Sequence, residues 1–335
     1  MLRLLAAALC LPSIWAAGRD SVIFDSDSGL FGDDGAALVM LLRSPAQVTV
    51  QGVTIVPGNV WAGQGAEYVL HILDLLKRPQ LPVLIGATQP LLHTSAMAKE
   101  AERRWGAIQY MGAFGMDPSS IVPAPGSKLS VRKPRRDAIA YMISEIEKRP
   151  GEITILAAGP MTNVALALRM RPDIETKIKR LVFMGGNVGV PGNSTPMAEF
   201  NFWFDPEATR IVLRAAWPRV DVTTADVSIK APFTQRMLDE IAKAQTPAAR
   251  YIASWSQDRY YMWDELAACA WLDPTLITKE KLLYMDIDLS HGPGYGDTLT
   301  WTDKLKPATG VRLVHAQLDL DLPRFQKMFV ELMSR

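Results

Sequence analysis

The sequence predicts a single α/β domain in which a mainly parallel central sheet is flanked by helices, and three observations predict it. Short apolar, strand-like runs alternate with longer helix-like segments from Ser21 onward, the order expected of βαβ units. Clusters of Gly, Pro, Asn and Asp fall where the apolar runs end, as strand-to-helix turns require. No composition shift, internal repeat, heptad or low-complexity stretch marks a second domain, and 335 residues with 48% hydrophobic content suffice for a large core.

In chain order, Val22, Ile23 and Phe24 read as the end of a buried strand, Gly29 and Gly32 as a turn, and Ala36 to Leu42 as a helix. QVTVQGVTIV reads as the second strand, followed by the helical GNVWAGQGAEYVLHILDLL and the strand LPVLIG. Residues 93–136, rich in Lys, Arg, Pro and Ser, read as an inserted loop with a short helix. The alternation resumes with DAIAYMISEIEKR, EITILAAG, NVALALRM and RLVFMGG, so parallel strands with helices on both faces are expected.

Chemistry concentrates where the first strand ends. Asp25, Asp27, Asp33 and Asp34 put four carboxylates into ten residues, and no Lys or Arg occurs between Asp20 and Arg43. Like charges so placed repel unless a cation sits among them. Oxygen ligands without His or Cys nearby favour Ca²⁺ or Mg²⁺ over zinc. Asp at a helix start also serves as a cap, which is the structural alternative for Asp33. Open α/β sheets bind ligands at the carboxyl ends of their strands, so this stretch is the candidate site.

The formal net charge of +1 gives no electrostatic reason to expect nucleic acid or an anionic membrane as partner. MLRLLAAALCLPSIWAAG, one Arg followed by an apolar run ending in small residues, reads as a secretory signal over residues 1–17 with cleavage near Ala16 or Ala17. It is short for a membrane span, so the expectation is an exported protein, periplasmic or extracellular, without a stable membrane anchor. Removing it removes Cys10 and leaves Cys269, which sits in the apolar LAACAWL and reads as a buried packing residue. A homodimer or homotetramer is compatible with the chain.

DSDSGLFGDD followed by an Ala-rich helix resembles the D-x-D-x-G-x-D-D motif of the inosine-uridine-preferring nucleoside hydrolases, with two extra residues between Gly29 and Asp33 and Ser28 in place of the usual Pro. Val56-Pro57-Gly58-Asn59 is similar to the family's V-G-N, and Gly159-Pro160-Met161-Thr162-Asn163 to its G-P-L-T-N. The longest match is the run P-G-N-x-T-P-x-A-E-F-N-F-W-x-D-P-E within Met184 to Glu207. Trp263-Asp264 stands where many members have His-Asp, and in this it resembles the purine-preferring branch. The likeness covers nearly the whole chain from Val22 on.

The resemblance implies calcium-dependent hydrolysis of the N-glycosidic bond of small-molecule ribonucleosides, with purines preferred. It implies that Asp27, Asp34, Asp264 and the main-chain oxygen of Thr162 hold Ca²⁺, and that Asp27 is the catalytic base. It implies that Asp33, Asn59, Asn193, Glu199 and Asn201 bind the ribose, that Trp263 and Trp105 stack on the base, and that Asp25 supports the others from behind. The residues themselves allow plainer roles: a turn for Asn59, a helix cap for Asp264, and core packing for either Trp. Two other functions fit parts of the chain. FDSDSG also resembles the D-x-D of haloacid dehalogenase phosphatases, with Asp25 as nucleophile, and a non-catalytic exported nucleoside-binding protein would use the same Trp and calcium groups.

Overall fold

The computed structural model describes residues 19–255 and 261–335. The signal segment expected over residues 1–17 lies outside the described residues. Ten strands form one sheet: β1 Asp20–Ser26, β2 Val48–Ile55, β3 Val83–Ile85, β4 Arg135–Arg136, β5 Ile153–Ala157, β6 Arg180–Met184, β7 Val220–Thr223, β8 Ile277–Ile287, β9 Thr298–Trp301 and β10 Arg312–Leu320. Their order is β4-β3-β2-β1-β5-β6-β7-β10-β8-β9. Every pairing from β4 to β10 is parallel; β8 runs antiparallel to β10, and β9 to β8. The expected single, mainly parallel sheet is therefore present, extended by an antiparallel edge.

Buried apolar side chains fall into two large clusters, one on each face of the sheet. Helices Asp33–Leu42, Ala62–Leu75, Asp264–Leu272 and Leu322–Ser334 pack on one, and helices Ala138–Lys148, Thr162–Met170 and Pro206–Leu213 on the other. Because β1 is covered on both faces, its Val22, Ile23 and Phe24 form an unbroken apolar run instead of alternating.

This topology fixes where a ligand can enter. Strand β1 pairs with β2 on one side and β5 on the other, and the sheet grows outward from it in opposite directions. Their carboxyl ends diverge there, opening the crevice in which such sheets bind ligands. The aspartates following β1, the Pro-Gly-Asn turn after β2 and the Gly-Pro turn after β5 all meet at this point. The extra residues before Asp33 are absorbed in a tight turn. Gly32 N donates to Gly29 O at 3.2 Å, and Leu30 takes a left-handed backbone with φ 64°. Phe31 tucks into the core edge-on to Tyr251, so Asp33 and Asp34 open the helix.

Candidate active site

A cavity of about 710 Å³ opens at the switch point, and its walls include Asp33, Asn59, Asn193, Glu199, Asn201, Trp263 and Asp264. Asp25, Asp27, Asp34 and Thr162 are fully buried and absent from its walls.

Asp27 is held with little freedom. Asn59 N donates to its Oδ2 at 2.6 Å. A Cβ on Gly58 would lie 1.9 Å from that oxygen, and one on Gly159 2.9 Å from Oδ1, so both turns need glycine to admit the carboxylate. Asp34 Oδ1 accepts from Ser26 Oγ at 2.7 Å and from Asp27 N at 3.1 Å. Asn59 Nδ2 donates to Asp34 Oδ2 at 3.0 Å, with Asp27 Oδ1 at 3.4 Å and Asp33 Oδ1 at 3.5 Å.

Asp264 arrives from the far end of the chain as the first residue of helix Asp264–Leu272, packed beside helix Asp33–Leu42. Carboxylate oxygens of Asp33, Asp34 and Asp264 all lie within 4.8 Å of one another. Asp264 Oδ1 is buried and has no hydrogen-bond donor among the described residues. Burial, and then the neighbouring carboxylates, push the Asp27, Asp34 and Asp264 carboxyls well above the usual range. No cationic side chain lines the cavity among the described residues. An orphaned buried oxygen in an all-oxygen set with excess negative charge fits a hard divalent cation.

Asp25 faces the other way. Its Oδ1 accepts from Thr54 Oγ1 at 2.6 Å and Asn163 Nδ2 at 2.8 Å, which ties it to the second strand and to the helix after β5 and away from the Asp34 and Asp264 carboxylates. Thr162 opens the helix after β5, and its hydroxyl donates to Asp205 Oδ2 at 2.5 Å. Asp205 also accepts from Leu91 N and Ala208 N, anchoring the start of that helix.

The opposite wall comes from residues 184–205. Glu199 caps helix Phe200–Phe204 and accepts from Asn201 N, Gly186 N and Phe202 N. Burial still pushes its carboxyl up to about 7. Asn193 Oδ1 accepts from Phe200 N at 2.7 Å, and Asn201 Nδ2 donates to Met184 O at 3.1 Å. Trp263 reaches the cavity half-buried and edge-on to Tyr261.

Trp105 is not brought to this cavity. Helix Ser95–Trp105 is capped at one end by Thr94 and pinned by Ser95 Oγ to Phe114 O at 2.9 Å. Its other end carries Trp105, 55% exposed, to a separate cavity with His93, Trp203 and Tyr295. Tyr110, which lines the acidic cavity and donates to Asn59 Oδ1 at 2.8 Å, carried no signal in the sequence. Asp205 lay inside the matched run and was legible only as the Asp of D-P-E.

Known proteins resemble this chain in sequence and fold. The profile of the family described as inosine-uridine preferring nucleoside hydrolase matches residues 22–327. The chain is 35% identical over 232 residues to a pyrimidine-specific ribonucleoside hydrolase, RihA, of Salmonella schwarzengrund, covering 69% of this chain and 68% of that protein. It is 32% identical over 239 residues to a probable uridine nucleosidase 1 of Oryza sativa subsp. japonica, covering 71% and 68%. The solved purine-preferring ribonucleoside hydrolase from Gardnerella vaginalis superposes with a TM-score of 0.74 at 26% identity, covering 94% of this chain and 98% of that one. The chain belongs to the inosine-uridine preferring nucleoside hydrolase family, whose members cleave the N-glycosidic bond of ribonucleosides with water.

Proposed function

We propose that this ribonucleoside hydrolase works with one bound Ca²⁺ and prefers purine nucleosides. The observation that carries the cation reading is the buried, partnerless Asp264 Oδ1 beside the carboxylates of Asp33 and Asp34. Asp27, Asp34, Asp264 and the Thr162 main-chain oxygen would hold the ion, with Asp33 close enough to join them or to face the ribose. When bound, it neutralises the cluster and lowers the pKa of a water.

The chain's own groups account for the rest of the reaction. Asp27, fixed by Asn59 N and its two glycine walls, takes the water's proton as the water oxygen bonds to the anomeric carbon. The C–N bond breaks with its electron pair leaving on the base, and the sugar passes through an oxocarbenium-like transition state. The carboxylates around the cavity stabilise that developing positive charge. Asn59, Asn193, Glu199 and Asn201, with Asp33, hydrogen-bond the ribose hydroxyls. No histidine lines the cavity among the described residues, and the departing base would take its proton from solvent or from a more distant acid.

Purine preference rests on Trp263, whose ring borders the cavity and offers a bicyclic base more stacking area. The names of the Salmonella and rice relatives favour a second reading, pyrimidine preference. An assay of purified protein against inosine, guanosine, adenosine, uridine and cytidine decides between them. Faster release of purine than of uracil or cytosine supports the first, equal or faster pyrimidine release supports the second, and intact nucleosides throughout contradict both. We also infer export from the apolar amino-terminal stretch. Recovery from cells of a mature protein that still begins at Met1 would contradict it.

A further inference from the structure

We propose that Tyr110 is a positioning residue for hydrolysis, acting through the side-chain amide of Asn59. The proposal rests on the reading of the acidic cavity as the hydrolytic site. Tyr110 belongs to the segment inserted between β3 and β4, and none of the motifs that carry the family likeness contains it.

Its placement is built from both sides. Ala113 N donates to Gly58 O at 2.7 Å, and Gly112, with φ 52°, passes so close that a Cβ there would lie 2.4 Å from Gly58 O and 2.6 Å from the Phe200 ring. Gln109 N donates to Ser194 O at 2.8 Å, and Ser194 Oγ donates to Tyr110 O at 3.0 Å. The Tyr110 ring stands edge-on to Phe200, with centroids 4.7 Å apart. The segment is thus strapped to the turn after β2 and to the loop before helix Phe200–Phe204, which puts the phenol over Asn59.

The phenol O–H donates to Asn59 Oδ1 at 2.8 Å, and Asn59 Nδ2 consequently faces the carboxylates of Asp34, Asp27 and Asp33. A flipped amide would aim its oxygen at those carboxylates and lose their hydrogen bonds. The carboxylates alone select this orientation only while they are free to accept. Once a cation or a ribose engages them, the phenol is the contact that still holds the amide oxygen. Tyr110 therefore keeps Asn59 in one orientation through the reaction, and with it the main-chain N–H that fixes Asp27.

Tyr110→Phe removes only the hydroxyl, so kcat on the best nucleoside should fall roughly threefold to tenfold, the scale of losing one partly exposed hydrogen bond. In an Asn59→Ala background the same change should add nothing. With a p-nitrophenyl riboside, whose leaving group needs no proton, the loss should persist. The Asn59 side-chain amide signal, identified by its absence in Asn59→Ala, should exchange with solvent faster in Tyr110→Phe. Additive losses, or a loss that vanishes on the p-nitrophenyl riboside, would make Tyr110 an independent group or an acid for the base and overturn the proposal. Unchanged amide exchange would overturn it as well. If the wild type cleaves no ribonucleoside the hydrolytic reading fails on its own, and amide exchange still decides the Tyr110 contact.

Discussion

Two cavities of nearly equal volume, about 710 and about 650 Å³, meet along residues 108–110 and 193–197, and their chemistry is opposite. The acidic one stands over buried Asp27 and Asp34, whose carboxyls burial drives upward. The aromatic one is lined by His93, Trp105, Met197, Trp203 and Tyr295, and burial drives His93 down to about 4, so it stays neutral. His93 is satisfied there: its Nδ1 lies 3.0 Å from Trp203 O, and its ring packs among Phe114, Trp203 and Tyr295. The same desolvation leaves one cavity in need of a cation and the other complete without one. Cavity size therefore says little about function here, and unbalanced buried charge says much.

The comparison breaks most directly at Asp27. Asp27→Asn keeps size and one oxygen but cannot take a proton, so kcat on nucleosides should fall by roughly 10² to 10⁴ with a far smaller change in binding. A loss under about tenfold would move the base to Asp33. The two tryptophans sharpen it next. Trp263→Ala should lower kcat/KM on inosine roughly tenfold to a hundredfold, the worth of lost base stacking, and that on uridine much less. Trp105→Ala, on the neighbouring cavity, should change neither by more than about twofold. Equal effects of the two substitutions would erase the distinction between the cavities.

The smallest effect is in stability against pH. Asp25, pushed up to about 7 by burial, and Asp27, Asp34 and Asp264 keep their protons to higher pH in the folded chain than in the unfolded one. The folded state therefore binds more protons from pH 4 or so up to about 7 through Asp25 and up to about 8 through Asp27, and rising pH removes stability across that window. A cation offsets the charge these groups gain. The Tm increase on adding Ca²⁺ should accordingly be larger at pH 8 than at pH 5.5, by about one to three degrees. A calcium-induced increase that is equal at both pH values would contradict the assignment.

Much of this was legible in the sequence because its signals are local. The unbroken apolar run of β1 and the apolar run of β5, interrupted only by Thr154, mark strands covered on both faces, and the four aspartates and Gly159 mark their ends, as Gly58 does that of β2. Asp264 was legible only through the resemblance, since nothing in WDELAACAWL says that its helix packs beside Asp33–Leu42. The antiparallel edge escaped reading. Strand β9 is only four residues long, and its alternation of Thr298 and Thr300 with Leu299 and Trp301 is too short to stand out, while Thr278 to Leu282 of β8 are exposed. The inserted segment was legible as a loop with a short helix, Ser95–Trp105, but its course was not. Its course depends on close backbone approaches at Gly112 and on hydrogen bonds to Gly58 and Ser194, which leave no periodic trace. The same segment therefore hid Tyr110 and carried Trp105 to the neighbouring cavity.

The central claim is that the buried carboxylates of Asp27, Asp34 and Asp264 form a functional site only around a divalent cation. The direct measurement is the initial rate of base release by chelator-stripped protein, titrated with Ca²⁺ while bound metal is counted by elemental analysis. The account predicts no turnover in the stripped protein and full recovery as occupancy approaches one ion per chain. Full turnover at an occupancy well below one ion per chain would contradict it.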